Sequence, residues 1–138
     1  MPEGQRWLWD YIPNQNDEIT FLSAQVEDRY QAWGKVLRYY PALFGLAQKA
    51  LSKLNEEKYD VIVAWEGKNG FPLALLRQIT GNKSTPLVVL AFSVRGPLKS
   101  MRWLQHYGIE GMDYATVPTL YEKEYYSSKL DIAKERIF

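Results

Sequence analysis

Three short stretches of this chain carry side chains that could hold or move charge. The first is Glu66-Gly67-Lys68-Asn69-Gly70. It lies between an apolar run of strand length, residues 60–65, and a helical pattern over residues 71–80. Backbone N–H groups at the start of a helix carry partial positive charge and favour an anion. Lys68 would add a point charge there. The competing reading is an ordinary strand-to-helix connection whose glycines serve backbone geometry alone. Neither G-x-x-x-x-G-K-[ST] nor G-x-G-x-x-G, the patterns that cradle nucleotide phosphates, occurs here. Gly67 to Gly70 does match the G-x-x-G of an RNA-clamping loop. That loop joins two helices, whereas an apolar strand precedes it here, so the match is set aside.

The second stretch is Ser93-Val94-Arg95-Gly96, at the end of the next apolar run. A guanidinium such as that of Arg95 grips a phosphate or carboxylate through two parallel hydrogen bonds. The plainer reading is a surface arginine ahead of a loop. The third is Thr119, after Val117-Pro118. Its hydroxyl would reach a ligand at the same edge, but Thr119-x-x-Glu122 also fits a capping box for the helix that follows. His106 is the single histidine, so a Ser/His/Asp triad would have to use it; it sits inside a helical pattern, and a surface or packing role is the expected one. With one histidine and no cysteine, a transition-metal ligand set is not expected. The carboxylates Glu56 and Glu57, and Glu122 and Glu124, read as solvated helix faces. Trp7, Trp9 and Tyr11 read as core packing or helix-face contact, with an apolar binding patch as the alternative.

These side chains need elements to position them. Residues 4–11 fit a short helix with Trp7, Leu8 and Tyr11 on one side, and Pro13 to Asp17 is turn chemistry. Residues 19–24 read as a strand. Residues 30–40 are mixed, with an interruption at Gly34. Pro41 suits a helix start. Leu43, Leu46, Ala47, Ala50, Leu51 and Leu54 then recur at spacings of three and four, an amphipathic helix. After the unit of strand 60–65, helix 71–80 and strand 86–92, Gly81-Asn82 being the helix stop, come a helix over 97–107 and a strand over 112–118. A helix over 121–130 and the start of a strand at 135–138 complete the pattern. Alternating strands and helices imply an α/β fold with an open, mostly parallel sheet and helices on both faces. Its crossovers should be right-handed. Ligands in such sheets bind beyond the carboxyl ends of the strands, where Glu66, Lys68, Asn69, Ser93, Arg95 and Thr119 gather.

Length and composition narrow the classes. The 138 residues fit one domain, residues 1–138, and 46% are hydrophobic, enough for a substantial core. A net charge of +1, with basic residues scattered singly, argues against nucleic acid as a partner. The lack of cysteine excludes a disulfide framework and suits a reducing compartment. The opening residues are too polar for a signal peptide, and no apolar run approaches the ~18 residues of a membrane span.

From Tyr59 onward the order of segments resembles the amino-terminal domain of GT-B-type glycosyltransferases of the group 1/family 4 kind. Residues 59–65, Tyr-Asp-Val-Ile-Val-Ala-Trp, resemble the family strand "YDvvhaw", and residues 85–92 the strand "tPlVvl.f". Residues 112–119 resemble "vDavivpS". Glu122-x-x-Tyr125-Tyr126 and residues 130–138 resemble the helix and the "lgi..eriff" strand that follow. The likeness spans about residues 4–138 and resides in order and spacing rather than in one motif.

The resemblance implies a Rossmann-like domain forming the acceptor-side half of a transferase. Such an enzyme moves a sugar from a nucleotide-sugar donor to a hydroxyl on a sugar or lipid-linked acceptor, without a cofactor, in the cytoplasm or peripheral to a membrane. Glu66, Gly67, Lys68, Asn69, Ser93, Arg95 and Thr119 are then substrate-binding positions. No catalytic residue is implied, because the family's histidine near the end of its first strand has no counterpart here. The family's first strand with its glycine-rich loop, and its second domain, are also unmatched. The expectation is therefore a chain inactive alone, completed by a carboxyl-terminal domain or a partner chain. A vacant strand position would leave backbone groups unpaired, so residues 19–24 should close onto the strand at 60–65, unless another segment or chain fills the gap. The alternative function is a non-catalytic module that docks on a partner or forms a homodimer through its open sheet or aromatic amino-terminal helix. A nucleotide-binding α/β protein unrelated to sugars is a third reading.

Overall fold

The structure, a computed structural model, describes residues 20, 22, 39–93 and 102–138. Helix α1 (Tyr39–Glu56) leads into strand β1 (Ile62–Trp65), helix α2 (Gly67–Thr80) and strand β2 (Leu87–Leu90). Helix α3 (Arg102–Ile109), strand β3 (Tyr114–Ala115) and helix α4 (Leu120–Leu130) follow, and a 3-10 turn spans Lys134–Arg136. The strands form one parallel sheet in the order β1-β2-β3, so the chain is α/β with an open, Rossmann-like sheet flanked by helices.

Register assigns each strand residue to a face. Ala64, Val89 and Ala115 form one row across the sheet, and all three are buried. Val63, Val88 and Tyr114 form the neighbouring row on the opposite face. Leu87, Val89 and Phe92 are fully buried in a core shared with Leu73 and Ala74 of α2, Ala47 of α1 and Tyr126 and Leu130 of α4. Burying each large apolar side chain contributes roughly 1.5–3 kcal/mol. The alternation of burial along β2 thus records which face the helices occupy.

Glycines set how closely the helices approach. A Cβ on Gly70 would come within 2.6 Å of the Val89 side chain, so α2 lies directly on β2. A Cβ on Gly111 would come within 2.0 Å of the Ala74 carbonyl oxygen, which fixes the turn after α3 against α2. The helices α1 and α2 run in the same sense, with their carboxyl ends joined by Asn82 Nδ2 donating to Asn55 Oδ1 at 3.2 Å.

The amino edge of the sheet is locked by a residue the sequence does not advertise. Arg77 is 0% exposed. Its guanidinium donates to the carbonyls of Asn82, Thr85 and Gly111 at 3.1, 2.6 and 2.8 Å, and Nη1 lies 3.1 Å from Asp113 Oδ2. That carboxylate oxygen also accepts from the Leu87 amide at 2.7 Å. A buried charge demands this degree of pairing.

Several elements differ from the sequence expectation. Helix α2 begins at Gly67 rather than at residue 71, because the two glycines let its first turn settle onto the sheet. Strand β3 is only two residues long: Met112 closes the turn after α3 through its amide to the Ile109 carbonyl, 3.0 Å. The expected last strand is a 3-10 turn followed by a single parallel bridge between Ala115 and Ile137. Arg136 holds that turn by donating to the Met112 and Asp113 carbonyls. The helix expected over 97–107 is described from Arg102 and continues to Ile109. The element expected at 4–11 lies outside the described residues, and of the segment expected at 30–40 only Tyr39 and Tyr40 are described, as the start of α1, two residues ahead of the expected start at Pro41. Of the strand expected at 19–24, only Thr20 and Leu22 are described, and neither is in a strand.

Candidate functional site

The carboxyl edge of β1 and β2 brings together five of the seven expected residues. The strand β1 ends at Trp65, and the Glu66 amide extends the ladder by donating to the Leu90 carbonyl at 2.9 Å. The chain then turns abruptly. Glu66 has φ 64° and ψ 149°, a region otherwise kept to glycine, which costs on the order of 1–3 kcal/mol. Gly67, Lys68 and Asn69 form the first turn of α2, so the stretch is a helix start rather than a loop.

Glu66 gives α2 no side-chain cap; its carbonyl accepts from the Asn69 and Gly70 amides at 3.1 Å each, and the Gly67 and Lys68 amides lead the helix. Their partial positive charge is joined by Lys68, whose Nζ lies 2.6 Å from Glu66 Oε2. Both side chains are well exposed, so this ion pair is weak and open to exchange. Asn69 Nδ2 donates to the Trp65 carbonyl at 2.6 Å, which leaves its amide oxygen for another partner. Gly67 is required where it stands. A Cβ there would lie 2.8 Å from the Ser93 carbonyl oxygen, so the absence of a side chain lets the helix start touch the exit of β2.

The exit of β2 is itself constrained. Ala91 has φ 48°, and its amide donates to Thr116 Oγ1 at 3.0 Å. The Phe92 amide donates to the Thr116 carbonyl at 2.8 Å while its ring is buried edge-on against Tyr126, centroids 5.3 Å apart. Ser93 then emerges exposed. Sequence reasoning did not single out Thr116, whose hydroxyl ties the exit of β2 to that of β3. The only available signal was a threonine near the end of an apolar run.

Thr119 follows β3 and caps α4, its hydroxyl oxygen accepting from the Glu122 amide at 3.2 Å and donating to Glu122 Oε2 at 3.1 Å. The helix-cap reading is therefore the observed one, and its hydroxyl is engaged on both sides. Arg95 lies outside the described residues. His106 lies in the last turn of α3. Among the described residues no three His, Cys, Asp or Glu side chains group as a metal site would require. No described helix is long and apolar enough to cross a membrane.

Chemically, this edge is one wall with a helix start, a displaceable ammonium, a carboxylate, an amide oxygen and a serine. It can bind an anion or hydroxyl-rich group by hydrogen bonds. The fold and this edge define an open parallel α/β protein with its polar groups at the strand carboxyl ends. No protein-family model matches the chain, and no curated protein matches it closely enough to count as a relative.

Proposed function

We propose that this chain is the acceptor-side, Rossmann-like half of a nucleotide-sugar-dependent glycosyltransferase of the GT-B type. The observation that carries the reading is positional. The segments that resemble the family, around residues 59–65, 85–92, 112–119 and 130–138, supply β1, β2, β3 and the Ile137 bridge in chain order. Their carboxyl ends share the edge that holds Glu66, Lys68, Asn69 and Ser93.

In the reaction, an acceptor hydroxyl forms a new bond to the anomeric carbon of the donor sugar. The bond from that carbon to the donor phosphate breaks, the nucleoside diphosphate leaves with the electron pair, and the hydroxyl proton passes to a base. Lys68 and the leading amides of α2 stabilise negative charge on phosphate, and Asn69 and Ser93 hydrogen-bond acceptor hydroxyls. The wall of the cleft opposite this edge holds the nucleotide.

Amide chemical shifts of the chain, recorded with a panel of nucleoside diphosphate sugars and simple glycosides, test this. The expected result is perturbation confined to residues 66–69, 93 and 116–119. Perturbation confined to the amino edge, or none at millimolar ligand, would sink the reading.

A further inference from the structure

The parallel ladder between β2 and β3 skips a residue where it meets the carboxyl edge. The Val89 carbonyl accepts from the Thr116 amide at 2.9 Å, in register with the Val89–Ala115 pair. In an evenly spaced parallel ladder the Thr116 carbonyl would next accept from the Ala91 amide. It accepts instead from the Phe92 amide, at 2.8 Å. Ala91 is therefore an extra residue, a β-bulge, and it takes the left-handed φ of 48°. Its amide is not orphaned, because Thr116 Oγ1 accepts from it at 3.0 Å. Thr116 thus serves two successive residues of the other strand, one with its carbonyl and one with its hydroxyl.

The extra residue changes which side chains face which way. Leu87 and Val89 are buried, and Val88 and Leu90 alternate with them. Unbroken alternation would turn Ala91 inward, Phe92 outward and Ser93 inward. Instead Phe92 is fully buried, its ring 3.4 Å from where a Cβ on Gly67 would stand, and Ser93 is exposed. The bulge has sent the ring to the core and turned the serine out beside the start of α2. Alanine does not prefer left-handed backbone, so something must hold it there. Burial of Phe92 supplies one hold and the Thr116 hydroxyl the other. A valine at 116 would match the shape of threonine and leave the Ala91 amide without that acceptor.

We propose that Thr116 is a positioning residue of the carboxyl edge. Through the Ala91 bulge it aims the Ser93 hydroxyl at the hydroxyl groups of a ligand, without touching the ligand itself. The inference rests on the reading of this edge as the acceptor wall. Bulges beside functional sites re-aim side chains in this way. The neighbouring strand ends similarly, on Glu66 at φ 64°, so β1 and β2 both leave the sheet through a residue held outside its preferred backbone.

The test compares Thr116→Val with Thr116→Ser by amide hydrogen exchange and by ligand titration followed in amide chemical shifts. Thr116→Val should speed exchange of the Ala91 amide by about tenfold and leave Val89 unchanged, and Thr116→Ser should restore the parent rate. Methyl glucoside serves as the hydroxyl probe and pyrophosphate as the phosphate probe. Thr116→Val should abolish the glycoside response at Ser93 and keep the pyrophosphate response at Lys68, whereas Thr116→Ser should keep both. A weaker fold would move both sites together, so selective loss at Ser93 reports positioning. Unchanged Ala91 exchange in Thr116→Val, or faster exchange with an intact Ser93 response, would overturn the proposal. If Thr116→Val does not fold, the parent decides: an Ala91 amide exchanging there as fast as an exposed one overturns it. A parent that responds to neither probe would overturn the acceptor-wall reading and this proposal with it. The exchange rates distinguish that failure from a failure of the bulge.

Discussion

Arg77 Nη1 and Asp113 Oδ2 stand 3.1 Å apart, joining the end of α2 to the entry of β3, with the carboxylate also receiving the first amide of β2. The guanidinium is fully buried and the carboxylate is 39% exposed. Removing the arginine leaves three carbonyls without their donor. Arg77→Leu should therefore cost about 3 kcal/mol, read as a lowered midpoint in urea unfolding. Asp113→Asn keeps an oxygen for the Leu87 amide and should cost about 1 kcal/mol, a clear separation between the two variants.

The glycines predict a graded series. Gly111→Ala should be the most damaging, because its Cβ would meet the backbone oxygen of Ala74, which cannot rotate away. Gly70→Ala presses on the Val89 side chain and should cost about 1–3 kcal/mol. Gly45, inside α1, has nothing within 4 Å of its Cβ position, so Gly45→Ala should stabilise by up to about 1 kcal/mol. Thermal unfolding of the three variants gives the order, and a destabilised Gly45→Ala would contradict the account.

Glu66 offers a direct test of strain held at the candidate site. Glu66→Gly should raise stability by about 1 kcal/mol, since glycine adopts that backbone freely. It also removes the carboxylate from Lys68. If the edge binds anions, pyrophosphate should bind the variant several-fold more tightly than the parent, and Lys68→Ala should weaken binding. Calorimetric titration with pyrophosphate distinguishes these outcomes, and unchanged affinity in both variants would remove the edge from consideration.

A small pH-dependent network lies at the end of α1. The Tyr59 hydroxyl, 2.5 Å from Glu57 Oε2, and then Lys53 hold the Glu57 carboxyl below the usual carboxylate range. Hydrogen bonds and charge from Glu57, then Glu56, hold Lys53 above the usual lysine range. The lowered Glu57 value favours the folded chain above the ordinary carboxylate range, and that contribution is lost as pH falls through the folded value. The raised Lys53 value favours folding below the ordinary lysine range and is lost as pH rises past its folded value. The groups are at the surface, so the effect on stability is small. Tyr59→Phe should move the Glu57 titration up towards the ordinary range, as carboxyl carbon shifts would report.

How much of this was legible in the sequence depends on what each residue's neighbours are. The strands at β1 and β2 are continuous apolar runs between turn residues, and their parallel pairing followed from the intervening helix. Gly81, at φ 71°, ends α2 where a glycine stop was expected, and Thr119 caps α4 as its spacing with Glu122 implied. The start of α2 was hidden, because Gly-Lys-Asn-Gly has low helix propensity and is helical only through its contact with Val89 and Ser93. Arg77 was hidden for a related reason. Its partners Gly111 and Asp113 lie more than thirty residues along the chain, and an arginine on a helix reads as solvated until they converge. At the candidate site, the residue types were readable but not their present commitments: Lys68 to Glu66, the Asn69 amide to Trp65, and the Thr119 hydroxyl to Glu122.

The anchoring of Phe92 and Ala91 bears on how such a protein could change over evolutionary time. The ring of Phe92 is buried and both amides are tied to Thr116, so the root of the following segment is fixed to two strands at once. Insertions or exchanges beginning after Ser93 would therefore leave the sheet undisturbed. That makes this position a natural graft point, where the chain can be lengthened or replaced on an unchanged scaffold.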